Sequence, residues 1–247
     1  MITSLHMRRT LARILAFGVA ATTLVNTAFA QEPAPATFAD RLSFGVAAGL
    51  GAVATGRPED ANDAPTLLNG SGYSGLALRV QGHAQFRLSP TIRLRAALAF
   101  ARYRMSGFAE TDTTRRELAF DLNAIELLPS FEFHRDLGPV SLIAGVDAGV
   151  RFGLSASATE QRTGFTSDTP ATAVRTAINL LAGAHAGVAI DLGAVQIPIT
   201  GVALWNITYP DTTLERLRDF QSTESPGAYT VDNDFVFLAL VGVDWGR

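Results

Sequence analysis

Residues 76–104 read LALRVQGHAQFRLSPTIRLRAALAFARYR, and their alternation decides the fold. Leu76, Leu78, Val80, Ala84, Phe86 and Leu88 fall on one parity, while Arg79, Gln81, His83, Gln85 and Arg87 fall on the other. A period of two is the signature of an extended strand with one apolar and one polar face. Ser89-Pro90 interrupts the pattern and Thr91 resumes it, so the stretch predicts a hairpin with a tight turn.

The same alternation recurs along the chain. It predicts strands near 40–50, 75–88, 91–104, 117–133, 139–154, 175–191, 194–208 and 233–245. In the fifth, Val140, Leu142, Ala144, Val146, Ala148, Val150, Phe152 and Leu154 share one face. Ser141, Gly145, Asp147, Gly149, Arg151 and Gly153 take the other. Connections alternate between short (Ser89-Pro90, Arg135–Gly138, Leu192-Gly193) and longer (51–74, 106–115, 155–174, 210–232). Short turns at one end and long loops at the other are the layout of an outer-membrane barrel. Strands of about 11 to 17 residues exceed the roughly 5–6 usual in soluble sheets and suffice to cross a bilayer. The expected fold is therefore all-β: an eight-stranded antiparallel up-and-down transmembrane barrel. A soluble lipocalin-like barrel, with the apolar face turned inward, has the same period.

Composition narrows the function classes. Hydrophobic residues make up 47% of the 247, yet beyond the N-terminus no apolar run approaches the length of a membrane helix. Cysteine is absent, which removes disulfides, thiolate metal sites and a cysteine nucleophile. All 20 basic residues are Arg.

Residues 1–30 read as a signal peptide: Arg8, Arg9 and Arg13, then an apolar stretch from Ile14 to Val25, then Ala28-Phe29-Ala30 as the cleavage pattern. A membrane anchor is the other reading, but the stretch is short for one. Met1 or Met7 serves equally as the start. Removing three Arg leaves 17 basic against 23 acidic residues, a charge of −6, which argues against nucleic acid. Gln31–Ala39 reads as a flexible leader, and 40–247 as the barrel.

The interior of an eight-stranded barrel is just filled by side chains, so inward polar groups must satisfy one another. Arg79, Arg93, Arg95, Asp121, Glu126, Glu132, Asp147, Arg151 and His185 are the predicted lumen network. Counting from the turns pairs Arg87 with Arg93, Gln85 with Arg95, Glu132 with Ser141, Glu126 with Asp147, His185 with Thr200 and Asn179 with Asn206. Apolar residues change parity near Ala124-Ile125, which suggests a β-bulge in the fourth strand. Beyond it Asp121 would meet Arg151. Glu126 and Glu132 stand at the height of Arg93 and Arg95. Tyr103, Phe108, Trp205, Tyr209, Phe235 and Trp245 near strand ends suggest aromatic girdles.

No HExxH, P-loop or dinucleotide fingerprint occurs, so no metal, cofactor or catalytic residue is assigned and the chain is not expected to be an enzyme. His134 is placed at a turn.

The stretch Asn123–Ala156, with Ile125-Glu126-Leu127-Leu128-Pro129 and the Gly-rich Leu142–Val146, resembles the outer-membrane β-barrel family that includes the PorT-like proteins of Bacteroidota. Phe44–Gly49 is similar to that family's first strand, and OmpA- and OmpX-like barrels share the layout. The resemblance implies a bacterial outer-membrane location without a defined activity. It also implies insertion by the barrel assembly machinery, although the aromatic that such chains commonly end in stands here two residues early, as Trp245.

The expected role is structural or one of surface interaction, with outer-membrane lipid around the barrel and a ligand surface on loops 51–74 and 209–232. A narrow channel and a lipid-acting outer-membrane enzyme are the alternatives.

Overall fold

The computed structural model describes residues 38–54, 69–70, 74–110, 115–163, 173–175, 178–208, 228–230 and 235–246. The signal-peptide reading, residues 31–37 of the leader, and most of loops 51–74 and 209–232 lie outside them, while Phe38, at the leader's end, packs its ring against Phe86. Eight long strands follow in order: β1 Leu42–Ala54, β2 Ser74–Arg87, β3 Ile92–Glu110, β4 Arg115–Asp136, β5 Val140–Thr163, β6 Ile178–Asp191, β7 Val195–Asn206 and β8 Phe235–Trp245. Each pairs antiparallel with its chain neighbours, and β8 closes onto β1 through Phe44↔Trp245 to Ala54↔Phe235. Closure leaves the barrel without an open edge, so ladder bonds satisfy its backbone groups from both sides.

The register sets the geometry. Register partners lead from Ser43 through Gln85, Arg95, Ser130, Asp147, Gly183, Leu204 and Val236 to Val53. One circuit thus returns to β1 ten residues further on, from 43 to 53. Eight strands with that stagger tilt by about 40° to the axis, within the range for closed barrels.

The apolar face points outward. Val46, Val80, Leu98, Val146 and Val241 are each at least half exposed, while Arg79, Glu126, Glu132 and Arg151 are at most 2% exposed. A soluble barrel would show the reverse. On β2 the outward run from Leu76 to Phe86 covers about 25 Å of height at that tilt, the apolar band of a membrane barrel. Outward aromatics bound the band. Phe44, Phe131 and Trp245 stand towards the turn end; Phe100, Phe152, Trp205, Phe235 and Phe237 stand towards the loop end. Trp205, Phe235 and Phe237 form a stacked ladder with centroids 6.4 Å apart. Tyr103 leaves the expected girdle and points inward, fully buried. Tyr209 and the side chain of Phe108 lie outside the described residues.

Two turns are built alike. Leu137 N donates to Val140 O and Leu192 N to Val195 O, with Gly138 and Gly193 at φ +85°. That backbone favours Gly at the first central position of a two-residue hairpin. The strand ends are therefore Asp136↔Ser141 and Asp191↔Gln196, later than the counting assumed. Arg87↔Arg93 and Gln85↔Arg95 stand as expected, but the other pairs move. Glu132 meets Gly145, Glu126 meets Arg151, His185 meets Val202, and Asn206 meets Leu181.

The bulge is real but lies on β5, not on the fourth strand. Asn123↔Ser155 and Ala124↔Gly153 leave Leu154 as the extra residue. β4 keeps one inward parity throughout, from Phe120 to His134. The ladder also skips at Pro129, between Leu127↔Val150 and Ser130↔Asp147, where β4 has no N–H to give.

β4 and β5 are the longest strands, 22 and 24 residues. Their hairpin runs past the apolar band into positions the alternation had left as loop. There Ser155, Ser157 and Thr159 alternate only with Ala on β5, while Phe120 and Leu122 on β4 pack into the core.

If the outward face meets hydrocarbon, a charge should cost more at mid-height than near the end. Leu98→Arg is expected to lose about 2–4 kcal/mol of folding stability, and Leu142→Arg, beside the turn, about 0–1. Urea titration of the barrel refolded into lipid vesicles measures both.

Candidate functional site

The described lumen holds two polar clusters with apolar side chains between and above them. The upper cluster centres on Glu126, which is shielded from solvent completely. Arg151 Nε donates to Glu126 Oε1 at 2.7 Å, and the Tyr103 hydroxyl donates to the same oxygen at 2.5 Å. Arg79 Nη2 stands 3.4 Å from Glu126 Oε2. Arg151 also donates to the Tyr103 hydroxyl at 3.1 Å and lies over its ring, 4.5 Å from the centroid. One acid on β4 thus gathers groups from β2, β3 and β5. Such an arrangement is electrostatically strong because the site is dry.

The lower cluster is an alternating chain of acids and bases. Arg95 Nη1 donates to Glu132 Oε1 at 3.2 Å, and His134 Nε2 lies 3.0 Å from Glu132 Oε2. His185 bridges two acids, with Nε2 3.0 Å from Glu132 Oε1 and Nδ1 2.9 Å from Asp147 Oδ2. Ser130 Oγ donates to Asp147 Oδ1. Nearer the turns, His83 Nε2 lies 2.9 Å from Asp244 Oδ1, and Arg93 donates to Gln85 Oε1 at 3.2 Å. Small inward residues make the room. A Cβ on Gly145 would stand 2.5 Å from His185 Cε1.

Eight of the nine predicted lumen residues face inward. Arg95 meets Glu132 as expected, whereas Glu126 meets Arg79 and Arg151 instead of Arg93 or Arg95. Arg151 sits at the centre of its cluster, on Glu126.

Asp121 is the exception. It faces outward at the loop end and pairs with Arg102 and with Arg104 Nε, the latter at 3.2 Å. The expected Asp121–Arg151 pair does not form, because Arg151 lies opposite Glu126 and Asp121 opposite Ser157.

Sequence reading missed Tyr103, His134, Ser130 and Asp244, and it placed His83 and Gln85 on the polar face without naming them in the network. Parity alone would have found Tyr103, since it follows Ala97, Ala99 and Ala101 on the inward face of β3. His134 belongs to β4 rather than to the turn.

The lumen is nearly filled. The cavities lining these clusters measure about 10 Å³, one beside Arg87, Arg93, Gln196 and Asp244 and one between the clusters. Each holds about one water. Among the described residues no three acid or imidazole groups are set to hold a metal ion.

Removing one partner from a buried set should cost far more than removing an exposed one. Glu126→Ala is expected to lose about 3–5 kcal/mol, because Arg79 and Arg151 stay buried without their acid. Asp121→Asn should leave stability unchanged within error. Paired unfolding titrations in vesicles check both, and equal losses would place Asp121 in the buried network after all.

No protein-family model matches the sequence, and no curated protein matches it. Solved structures resemble the chain at low identity. Neisserial surface protein A is 15% identical, with a TM-score of 0.41, over 83% of this chain and 96% of that one. The N-terminal β-barrel domain of Pseudomonas aeruginosa OprF is 12% identical, with a TM-score of 0.30, over 82% and 96%. The Yersinia pestis outer membrane protein Ail is 14% identical, with a TM-score of 0.29, over 82% and 99%. By its own register, closure and apolar exterior the chain is a closed eight-stranded antiparallel β-barrel with the outer face of a membrane barrel.

Proposed function

We propose that this chain is a small closed barrel with a structural or surface-interaction role in the outer membrane, and that no solute passes through it. One observation carries the reading: among the described residues, inward side chains occupy the barrel from the turn end to the loop end. The lower cluster blocks the turn end. Leu128, Leu181, Leu204, Leu238 and Leu240 fill the middle, and Val53, Met105, Phe120, Leu122 and Val236 fill the loop end. The cavities beside the clusters, of about 10 Å³, are smaller than any hydrated ion.

A narrow channel would need the buried ion pairs to swing aside together, and those pairs draw on six strands, β2 to β6 and β8. A lipid-acting enzyme would need a nucleophile at the lipid-facing rim. Ser130, His185 and Asp147 do meet, but inside the lumen, with the serine and the imidazole both directed at the carboxylate. We read them as part of the structural network and assign no catalytic role.

Partners would then be bilayer lipid around the apolar band, the barrel assembly machinery during insertion, and a surface ligand on loops 51–74 and 209–232. Kinship with the PorT-like branch rests on the Asn123–Ala156 stretch and on Phe44–Gly49.

Two measurements test the reading. In planar bilayers the purified barrel should give no discrete conductance steps; reproducible steps would replace the closed barrel with a channel. On SDS gels the unheated membrane fraction should migrate apart from the heated one, as a folded barrel does. Recovery of the chain in the soluble periplasm would end the membrane reading.

A further inference from the structure

At the loop end, three outward side chains converge on the barrel wall. Arg102 donates to Asp121 through Nε, at 2.9 Å from Oδ1, and through Nη2 to Oδ2. Arg104 donates through Nε to the same Oδ2 at 3.2 Å. Both guanidiniums therefore already reach one oxygen atom, so a single oxyanion beside Asp121 can engage both. The Arg104 side chain is 60% exposed and gives Asp121 only its Nε, which leaves its two terminal amino groups for another acceptor.

Register fixes their height. Arg102 pairs with Leu78 and Arg104 with Leu76 on β2, and Phe100 precedes them on the same face of β3. These three apolar neighbours are each at least 42% exposed, as the rest of the lipid-facing band is. On the other side Arg102 pairs with Asn123 and Arg104 with Asp121, which itself pairs with Ser157. The two arginines thus stand on the seam between the apolar wall and the polar one above it. An arginine at such a seam lays its stem on the apolar side and holds its head at the level of the lipid headgroups.

Two guanidiniums share one carboxylate, so the group carries one excess positive charge. Among the described outward side chains beside it, Ser74, Ser106, Asn123 and Ser155 are neutral, and the next acid, Glu117, stands four residues further along β4.

We infer that Arg102 and Arg104 hold a phosphate on the sugar headgroup of an outer-leaflet glycolipid. The inference rests on the outer-membrane reading above: with the long loops outside, this seam lies in the leaflet built of phosphorylated glycolipid. A phosphate offers several charged acceptor oxygens that match the planar guanidinium fork. Asp121 holds the two forks side by side and competes with the ligand for them.

Native mass spectrometry of the whole folded barrel in detergent, titrated with lipid A, tests this. Dephosphorylated lipid A should bind about 25-fold more weakly than lipid A, and Arg104→Gln should weaken lipid A about fivefold, the worth of one guanidinium at a charged membrane surface. Asp121→Asn removes the competing acid and should tighten binding, the reverse of what losing a merely structural partner would do. Arg135→Gln, an outward arginine at the turn end, should change nothing. All three variants alter side chains at the barrel surface and should keep the heat-modifiable band. Equal binding of lipid A and its dephosphorylated form, or unchanged binding by Arg104→Gln, would overturn the inference. Phosphatidylglycerol or inorganic phosphate binding as tightly as lipid A would overturn it too, by reducing the site to a general anion contact. The heat-modifiable band keeps the two readings apart: a wild-type chain that shows it but fails these tests is a membrane barrel without this site, and one that lacks it ends the outer-membrane reading as well.

Discussion

Glu126 is an acid with no access to water, and the lumen is organised around keeping it neutralised. A carboxylate in a dry interior is costly unless its charge is matched. Arg151 supplies a close charge-assisted bond, Arg79 a second charge and Tyr103 a hydroxyl. Each comes from a different strand, so the acid is satisfied only when β2, β3, β4 and β5 are all in register. The stagger of ten residues per circuit brings them to one height. Closure, register and charge neutrality are in this sense a single condition.

The barrel also changes its polarity rule with height. Within the apolar band the outward face is Leu, Val, Phe and Ala, and the inward face carries the charges. At the loop end the order reverses. Arg102, Arg104, Asp121 and Asn123 face outward, while Tyr103, Met105, Phe120 and Leu122 face in. The reversal follows from the surrounding medium: hydrocarbon demands an apolar exterior, and water beyond it restores the ordinary arrangement of a soluble core. Phe100 and Phe152 on the exterior mark where one rule gives way to the other.

That reversal explains both what the sequence revealed and what it concealed. Which residues share a face was legible throughout β2 and in the lower part of β5, because alternation is a direct consequence of the pleat. The parity change near Ala124-Ile125 was legible too, but its cause was not. Treating every apolar residue as lipid-facing turns Phe120 and Leu122 outward and requires a bulge in β4. In fact β4 runs straight and the medium changes, while the real bulge sits across the ladder at Leu154. Asp121 was drawn into the lumen by the same assumption. The upper end of β5 was harder to read for a simpler reason, since Ser155, Ser157 and Thr159 alternate only with the small Ala156 and Ala158.

The misplaced pairs share one property: they are off by an even number of residues. Glu126 moves from Asp147 to Arg151, four positions along β5, and His185 moves from Thr200 to Val202, two along β7. Even slips are what a period of two cannot detect, because every side chain keeps its face. Charge can detect them. The four-residue slip sets Glu126 against Asp147, two acids side by side in a dry lumen, and a slip of two the other way sets Asp147 against Glu132. Only the observed register puts Arg151 on Glu126 and Ser130 on Asp147. Apolar alternation therefore selects the face, while the buried ions and the glycines at Gly138 and Gly193 select among the registers that alternation leaves equal. Buried ion pairs add little net stability over well-packed apolar residues, and specifying the register is the role that best explains why this lumen holds them.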